Sequence, residues 1–241
     1  IESGDVRTVV EAVFGFHSSR AQVKYLLSET GALQIDVRIV WDEKQKLVKL
    51  NVPAAFDKTE CIGEEAYGRE TLRGGSEENV SHRYAALCQP TDDGAAFAVL
   101  NNGLYGSSFD DAVNALKITL LRSPSYTAHP LPGRVTMPQD RYMPYIEQGE
   151  RDFSFAFVVG TREDVLDKAP RLSAHFNRRP MVLSFYPTGV GEKPQTPVLL
   201  RDNDIVTIEA FKKADCGDGY ILRLFNPTEK KQTAVVQVYD A

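Results

Sequence analysis

Apolar positions along this chain recur with a spacing of two rather than 3.6, which predicts strands. In Leu33–Trp41 (LQIDVRIVW), Leu33, Ile35, Val37, Ile39 and Trp41 fall on one side, and Gln34, Asp36 and Arg38 on the other. The polar run Asp42–Lys46 supplies a turn, and Val48, Leu50 and Val52 then resume the alternation. Together the two runs predict a hairpin with one buried face. The same pattern predicts strands over Thr8–Phe16, Gln22–Leu27, Ser81–Cys88, Ala95–Leu100, Ala115–Leu121, Asp152–Val159, Val182–Tyr186, Asp204–Lys212, Tyr220–Phe225 and Thr233–Tyr239. In Asp152–Val159 the alternation is sharpest among the later strands, with Phe153, Phe155 and Phe157 set against Asp152, Ser154 and Ala156. Many short strands separated by turn signals predict an all-β, antiparallel sandwich.

One short helix interrupts the pattern. Thr161 with Asp164 three residues on resembles a capping box, and Val165, Leu166 and Ala169 follow at helical spacing. Pro170 is expected to end or kink this helix. Pro124–Gly149 carries five prolines and no periodicity, and it reads as a long loop. Gly68–Ser76 (GRETLRGGS) has glycines without a P-loop lysine and reads as a turn. Pro187–Pro197, rich in glycine and proline, divides the chain into a large sandwich, 1–186, and a small C-terminal β domain, 187–241.

Composition narrows the function classes. The 241 residues are 42 % hydrophobic and 25 % charged, ordinary values for a globular protein. A net charge of −5 with scattered basic pairs argues against a nucleic-acid partner, which would need a basic stripe. No apolar run approaches the roughly 20 residues of a membrane helix, so no membrane partner is expected. Cys61, Cys88 and Cys216 are odd in number and far apart, and they read as free or buried thiols of a cytoplasmic, reducing setting. The chain opens inside a strand-like pattern without a start methionine, so a piece of a longer protein is expected.

Candidate chemistry is sparse. His17, His82, His129 and His175 are widely separated, and none sits in a local metal-binding pair, so no metal is expected on this chain. There is no G-x-S-x-G elbow and no cysteine in a catalytic setting. The acidic doublets Glu64-Glu65, Glu77-Glu78, Asp92-Asp93 and Asp110-Asp111 are carboxylates of the type a glycosidase uses, but each reads first as a solvated turn or edge. Tyr84, Tyr105, Tyr142 and Tyr145 are of the type that stacks on sugar faces, against a plainer reading as core or rim. Asn101-Asn102-Gly103, directly after an apolar strand, signals a tight turn with positive φ, and Tyr105-Gly106 follows it.

Seven blocks occur in order: VRTVVEAVFGF, SRAQVKYLL, VRIVWDEKQKLVKLNVP, FAVLNNGLYGSSFD, LKITLLRSPSY, YIEQGERDFSFAFVVG and VTIEAFKKADCGDGYILRLFNPTE. The series resembles the C-terminal β region of glycoside hydrolase family 38, the α-mannosidases, of the bacterial and cytosolic type. The resemblance covers nearly the whole chain and rests on the order of the blocks rather than on any one of them. Two details depart from it: RLFNP at Arg223–Pro227 lacks the acidic residue of many relatives, and the Pro124–Gly149 loop is longer.

The resemblance implies a galactose-mutarotase-like β-supersandwich with a small β domain packed on it. It also implies N-terminal catalytic and helical domains on the same polypeptide, carrying zinc and an aspartate nucleophile. The activity implied is retaining hydrolysis of terminal α-mannosides of an oligosaccharide, in mannose catabolism, with this chain inactive alone. It places Asn101, Asn102, Tyr105 and Arg122 at the substrate rim or an inter-domain junction. Two other readings of the residues stay open: a stand-alone carbohydrate-binding sandwich, and a structural domain that drives homo-oligomerisation.

Overall fold

The computed structural model describes residues 2–29, 31–124, 142, 146–178, 181–184, 186, 189, 198–201 and 203–238. The strands, in chain order, begin with β1 (Glu2–Ser3), β2 (Arg7–Phe16), β3 (Ser19–Ser28), β4 (Leu33–Trp41), β5 (Leu47–Pro53) and β6 (Glu60–Glu65). Next come β7 (Gly68–Thr71), β8 (Glu78–Val80), β9 (Tyr84–Cys88), β10 (Ala95–Asn101), β11 (Gly106–Asp110), β12 (Ala115–Arg122) and β13 (Gly149–Thr161). The helix α1 (Arg162–Asn177) follows, then β14 (Val198–Arg201), β15 (Thr207–Lys213), β16 (Tyr220–Phe225) and β17 (Val235–Val238).

All strand pairs are antiparallel, as the alternating pattern predicts. Nine strands form one sheet, in the order β1-β2-β3-β4-β13-β10-β9-β6-β7, and four form the facing sheet, β5-β12-β11-β8. Two separate pairs, β14-β17 and β15-β16, lie towards the C-terminus. The main core is sealed between the large and small sheets by residues such as Ile35, Val37, Trp41, Leu87, Val99, Leu116 and Phe155. At one end Trp41 Nε1 donates to the buried Ser123 Oγ at 3.0 Å, tying β4 to the exit of β12. A second apolar cluster fills the other face of the large sheet, where Ala86, Ala96, Ala98 and Leu100 meet Val165, Leu166 and Ala169 of α1.

This second layer explains why β9 and β10 read as continuous apolar runs. Both of their faces are covered, and small alanines on one face let the helix approach. On the main-core side Gly63 in β6 makes room for Leu72: a Cβ there would lie 2.8 Å from both Leu72 Cδ2 and Ser81 Cβ.

Thr161 caps α1 as its sequence suggests, its side chain accepting from Asp164 N at 3.3 Å. Pro170, however, does not end the helix, which continues to Asn177. The cost of an internal proline is the lost N–H that would reach the carbonyl four residues back. Here that carbonyl belongs to Leu166, and Arg69 Nη1 from β7 donates to it at 3.1 Å. The substitute donor removes the orphaned acceptor, and the helix runs on.

Two further expectations are corrected. Gly68–Ser76 is not a turn throughout, since Gly68–Thr71 pairs with β6 as β7. Residues 181–184 and 186, within and beside the predicted Val182–Tyr186 strand, have no regular structure, and Val182 and Leu183 are exposed. The loop core at 125–141, the linker Pro187–Pro197 apart from Gly189, and His129 and Tyr145 lie outside the described residues.

Candidate functional site

The β10–β11 loop is built by the side chain of Asn101. This residue closes β10 and is only 2 % exposed. Its Oδ1 accepts from Gly103 N at 2.9 Å and Leu104 N at 2.7 Å, while its Nδ2 donates to His82 O at 3.1 Å. Its own carbonyl accepts from Asn177 Nδ2 at 3.0 Å, anchoring the end of α1 to the loop. The turn is thus held by an asparagine side chain imitating backbone. Gly103 at φ +120° provides the positive φ that the sequence predicts.

With Asn101 committed to backbone, Asn102 and Tyr105 are the outward groups of the loop. Asn102 Oδ1 accepts from Ser154 N at 3.1 Å, which fixes it beside β13. Tyr105 is 57 % exposed, its carbonyl accepts from Ser81 N at 2.9 Å, and its ring stands edge-on to His82 with centroids 6.0 Å apart. Arg122 is exposed at the end of β12 and does not line the groove described next.

Tyr105 and His82 line a groove of about 540 Å³. Its other walls are the Ala66–Tyr67 turn between β6 and β7, Arg83, Arg178 after α1, and Glu209 and Phe225 of the C-terminal hairpin. At its base lies Glu64, 4 % exposed. The Glu64 carboxylate accepts from Arg83 Nε at 3.0 Å and Arg83 N at 2.9 Å, and Arg83 Nη2 adds a third donor. These hydrogen bonds raise the Arg83 guanidinium above its ordinary value. A buried carboxylate must be paired this way to be tolerated. Glu64 is therefore not the solvated member of an acidic doublet that its sequence context suggests. Its neighbour Glu65 is exposed and hydrogen-bonds Glu70, raising that carboxyl above its ordinary value.

Tyr67 is 60 % exposed and escaped sequence reasoning. Its ring is edge-on to Phe225 at 5.7 Å, and its hydroxyl accepts from Arg223 Nη1 at 3.2 Å. Tyr84, a stacking candidate by type, is buried in the α1 cluster, and burial raises its phenol above the ordinary value. Tyr142 is exposed and does not line the groove. The sequence signal for the groove would have been the pairing of Glu64 in β6 with Arg83 just before β9, 19 residues apart, which periodicity alone does not give.

Among the described residues no three His, Cys, Asp or Glu side chains converge to hold a metal ion, so no residue set here fits zinc. Cys61 and Cys88 are buried free thiols, and Cys216 is an exposed one. No helix among the described residues is long and apolar enough to cross a membrane.

The profile of a family described as "Glycosyl hydrolases family 38 C-terminal domain" matches residues 1–132. Two solved structures share the fold at a TM-score of 0.72: a protein in glycosyl hydrolase family 38 from Enterococcus faecalis, at 15 % identity, and an alpha-mannosidase from Enterococcus faecalis V583, at 14 %. Each alignment covers 91 % of this chain and 25 % of the solved chain, so this chain spans about a quarter of their length. No curated protein sequence matches it.

Proposed function

Because this chain belongs to the family of glycosyl hydrolase family 38 C-terminal domains, we propose that it is the non-catalytic β region of an α-mannosidase-like retaining glycosidase. In this reading a catalytic domain and a helical domain elsewhere on the same polypeptide supply the zinc and the nucleophile. The whole enzyme removes terminal α-mannosides from oligosaccharides in the cytoplasm. The chain would fold as the two units 1–186 and 187–241, and it closes one side of the pocket.

The observation that carries the proposal is the mismatch between the two sheets. Four strands cannot cover nine, and by register Val10, Phe14, Phe16, Tyr25 and Leu27 lie on the core-side face of β2 and β3 yet are exposed. A face of that kind suits a further domain packed against it. The outward Asn102 and Tyr105 then serve as rim residues, with Arg122 as a further contact.

The test is hydrolysis of an aryl α-mannoside by the full-length gene product with zinc, set beside this chain alone. The full-length protein should turn over and the chain should not. Absence of turnover across divalent metals and pH would remove the mannosidase reading. Within an active enzyme, Asn102→Ala and Tyr105→Ala should each lower kcat/KM by ~10-fold, about 1.4 kcal/mol.

A further inference from the structure

We propose that the groove between the Ala66–Tyr67 turn and the C-terminal hairpin is a binding site for a neutral saccharide. The proposal stands on the chemistry of the groove, which shares Tyr105 with the rim proposed above, and its test reads binding by this chain without any hydrolysis.

Tyr67 is the first observation. Glu65 pairs with Gly68, so Ala66 and Tyr67 make a two-residue turn, and Tyr67 sits at φ +59°. That left-handed region is the natural place of glycine or asparagine, and a bulky residue there is strained. Strain of this kind persists where the surroundings hold it, and it collects at functional sites. Here Arg223 holds its hydroxyl and Phe225 packs edge-on against its ring, while Tyr67 stays 60 % exposed and lines the groove. The aromatic platform is therefore fixed before any ligand arrives, which reduces the entropy lost on binding.

The second observation is what surrounds that platform. A π face is electron-rich and attracts the weakly positive C–H bonds along one face of a pyranose ring. Tyr105 offers a second exposed ring in the same groove, with His82 packed edge-on to it. The same groove is lined by planar polar groups suited to adjacent hydroxyls, the Arg83 guanidinium and the Glu209 carboxylate. Net charge chooses the class of ligand. Arg83 is neutralised by Glu64, and the remaining lining charges are of both signs. A phosphate would meet Glu65 and Glu209, and a cation would meet Arg178. A ligand dense in hydroxyls and without charge meets neither penalty. The volume of about 540 Å³ lies within the range of about 300–1,000 Å³ usual for small-ligand sites and holds one or two sugar rings.

The experiment is calorimetry and saturation-transfer NMR on the 241-residue chain with methyl α-mannoside, an α-linked mannobiose, maltose and cellobiose. At least one should bind with Kd ~1 mM. Tyr67→Phe should keep that affinity within ~3-fold, and Tyr67→Gly should weaken it by at least ~10-fold without lowering Tm, because glycine relieves the strained φ. Tyr25→Ala, which removes an exposed ring elsewhere, should leave binding unchanged. Failure of all four sugars to bind, or full affinity in Tyr67→Gly, would overturn the proposal. Neither outcome bears on hydrolysis by the full-length enzyme, so this site and the mannosidase reading fail independently.

Discussion

Two stretches of one sheet, β9–β10 and β2–β3, obey the same pairing rules and end in opposite environments. Tyr84–Cys88 is buried at every position, and so is β10 beyond its first residue, because α1 covers one face and the four-stranded sheet the other. In β2 no residue is buried, although Val10, Phe14 and Phe16 share the apolar face of the core strands through β3 and β4. The difference is therefore not in the pairing but in the cover. Alternation in β2 specifies a face that needs a partner, and the described residues of this chain supply one only as far as β4 and the inner part of β3.

Removing a ring from the covered centre, at β13 beside β10, and one from the open edge separates the two environments most strongly. Phe155→Ala, at a fully buried site opposite Ile35 in β4, should cost about 3–5 kcal/mol by urea unfolding, since the cavity adds to the lost transfer energy. A cost below ~1 kcal/mol would mean that the centre is not close-packed.

The central strands should also be where alkali acts. Burial, helped by the nearby Cys88, pushes the Cys61 thiol from 9.0 up to about 12, and burial pushes Cys88 up to about 11. Tyr84 shifts in the same direction. A group whose pKa is raised by folding stabilises fully below its unfolded value and loses that contribution as pH rises towards the folded one. Unfolding free energy should therefore fall between pH 9.0 and about 12. The fall should be shallower in Cys61→Ala, followed by denaturant midpoints at each pH. An unchanged slope would show that Cys61 ionises without unfolding.

How much of this was legible in sequence follows the range of each interaction. The β4 and β13 patterns are written locally, so Leu33–Trp41 matches its strand to the residue. The Asn101–Gly103 turn was legible as a turn, but not the use of the Asn101 side chain, because His82 and Asn177 come from distant segments. β7 was hidden because its four residues lack apolar alternation and are defined by their pairing with β6. Val182–Tyr186 shows the converse, an alternation without regular structure at its described residues. The groove was least legible, since its walls come from β6–β7, the β10–β11 loop and a hairpin more than a hundred residues later.

The continuation of α1 past Pro170 is another long-range effect, and it makes an intermediate prediction. Arg69→Met keeps most of the stem but leaves the Leu166 carbonyl without its donor, at about 1–3 kcal/mol. Pro170→Ala restores the backbone N–H that proline removed, so in that background Arg69→Met should become nearly neutral. A thermal-melt double-mutant cycle measures the coupling, and strict additivity would show that Arg69 does not compensate for the proline.

The smallest effect belongs to the uncovered edge. Phe14 is 53 % exposed, so Phe14→Ser forfeits little burial in this chain and should change its unfolding free energy by no more than ~0.5 kcal/mol. Sedimentation should show the variant less prone to self-association than the parent, because an exposed apolar face finds partners in solution. In the full-length protein the same substitution should cost more than ~1.5 kcal/mol if another domain buries the ring. A large cost in this chain would place Phe14 in its own core. A negligible cost in both proteins would leave the edge uncovered in the longer protein too, and the comparison between centre and edge would then reflect only the width of the small sheet.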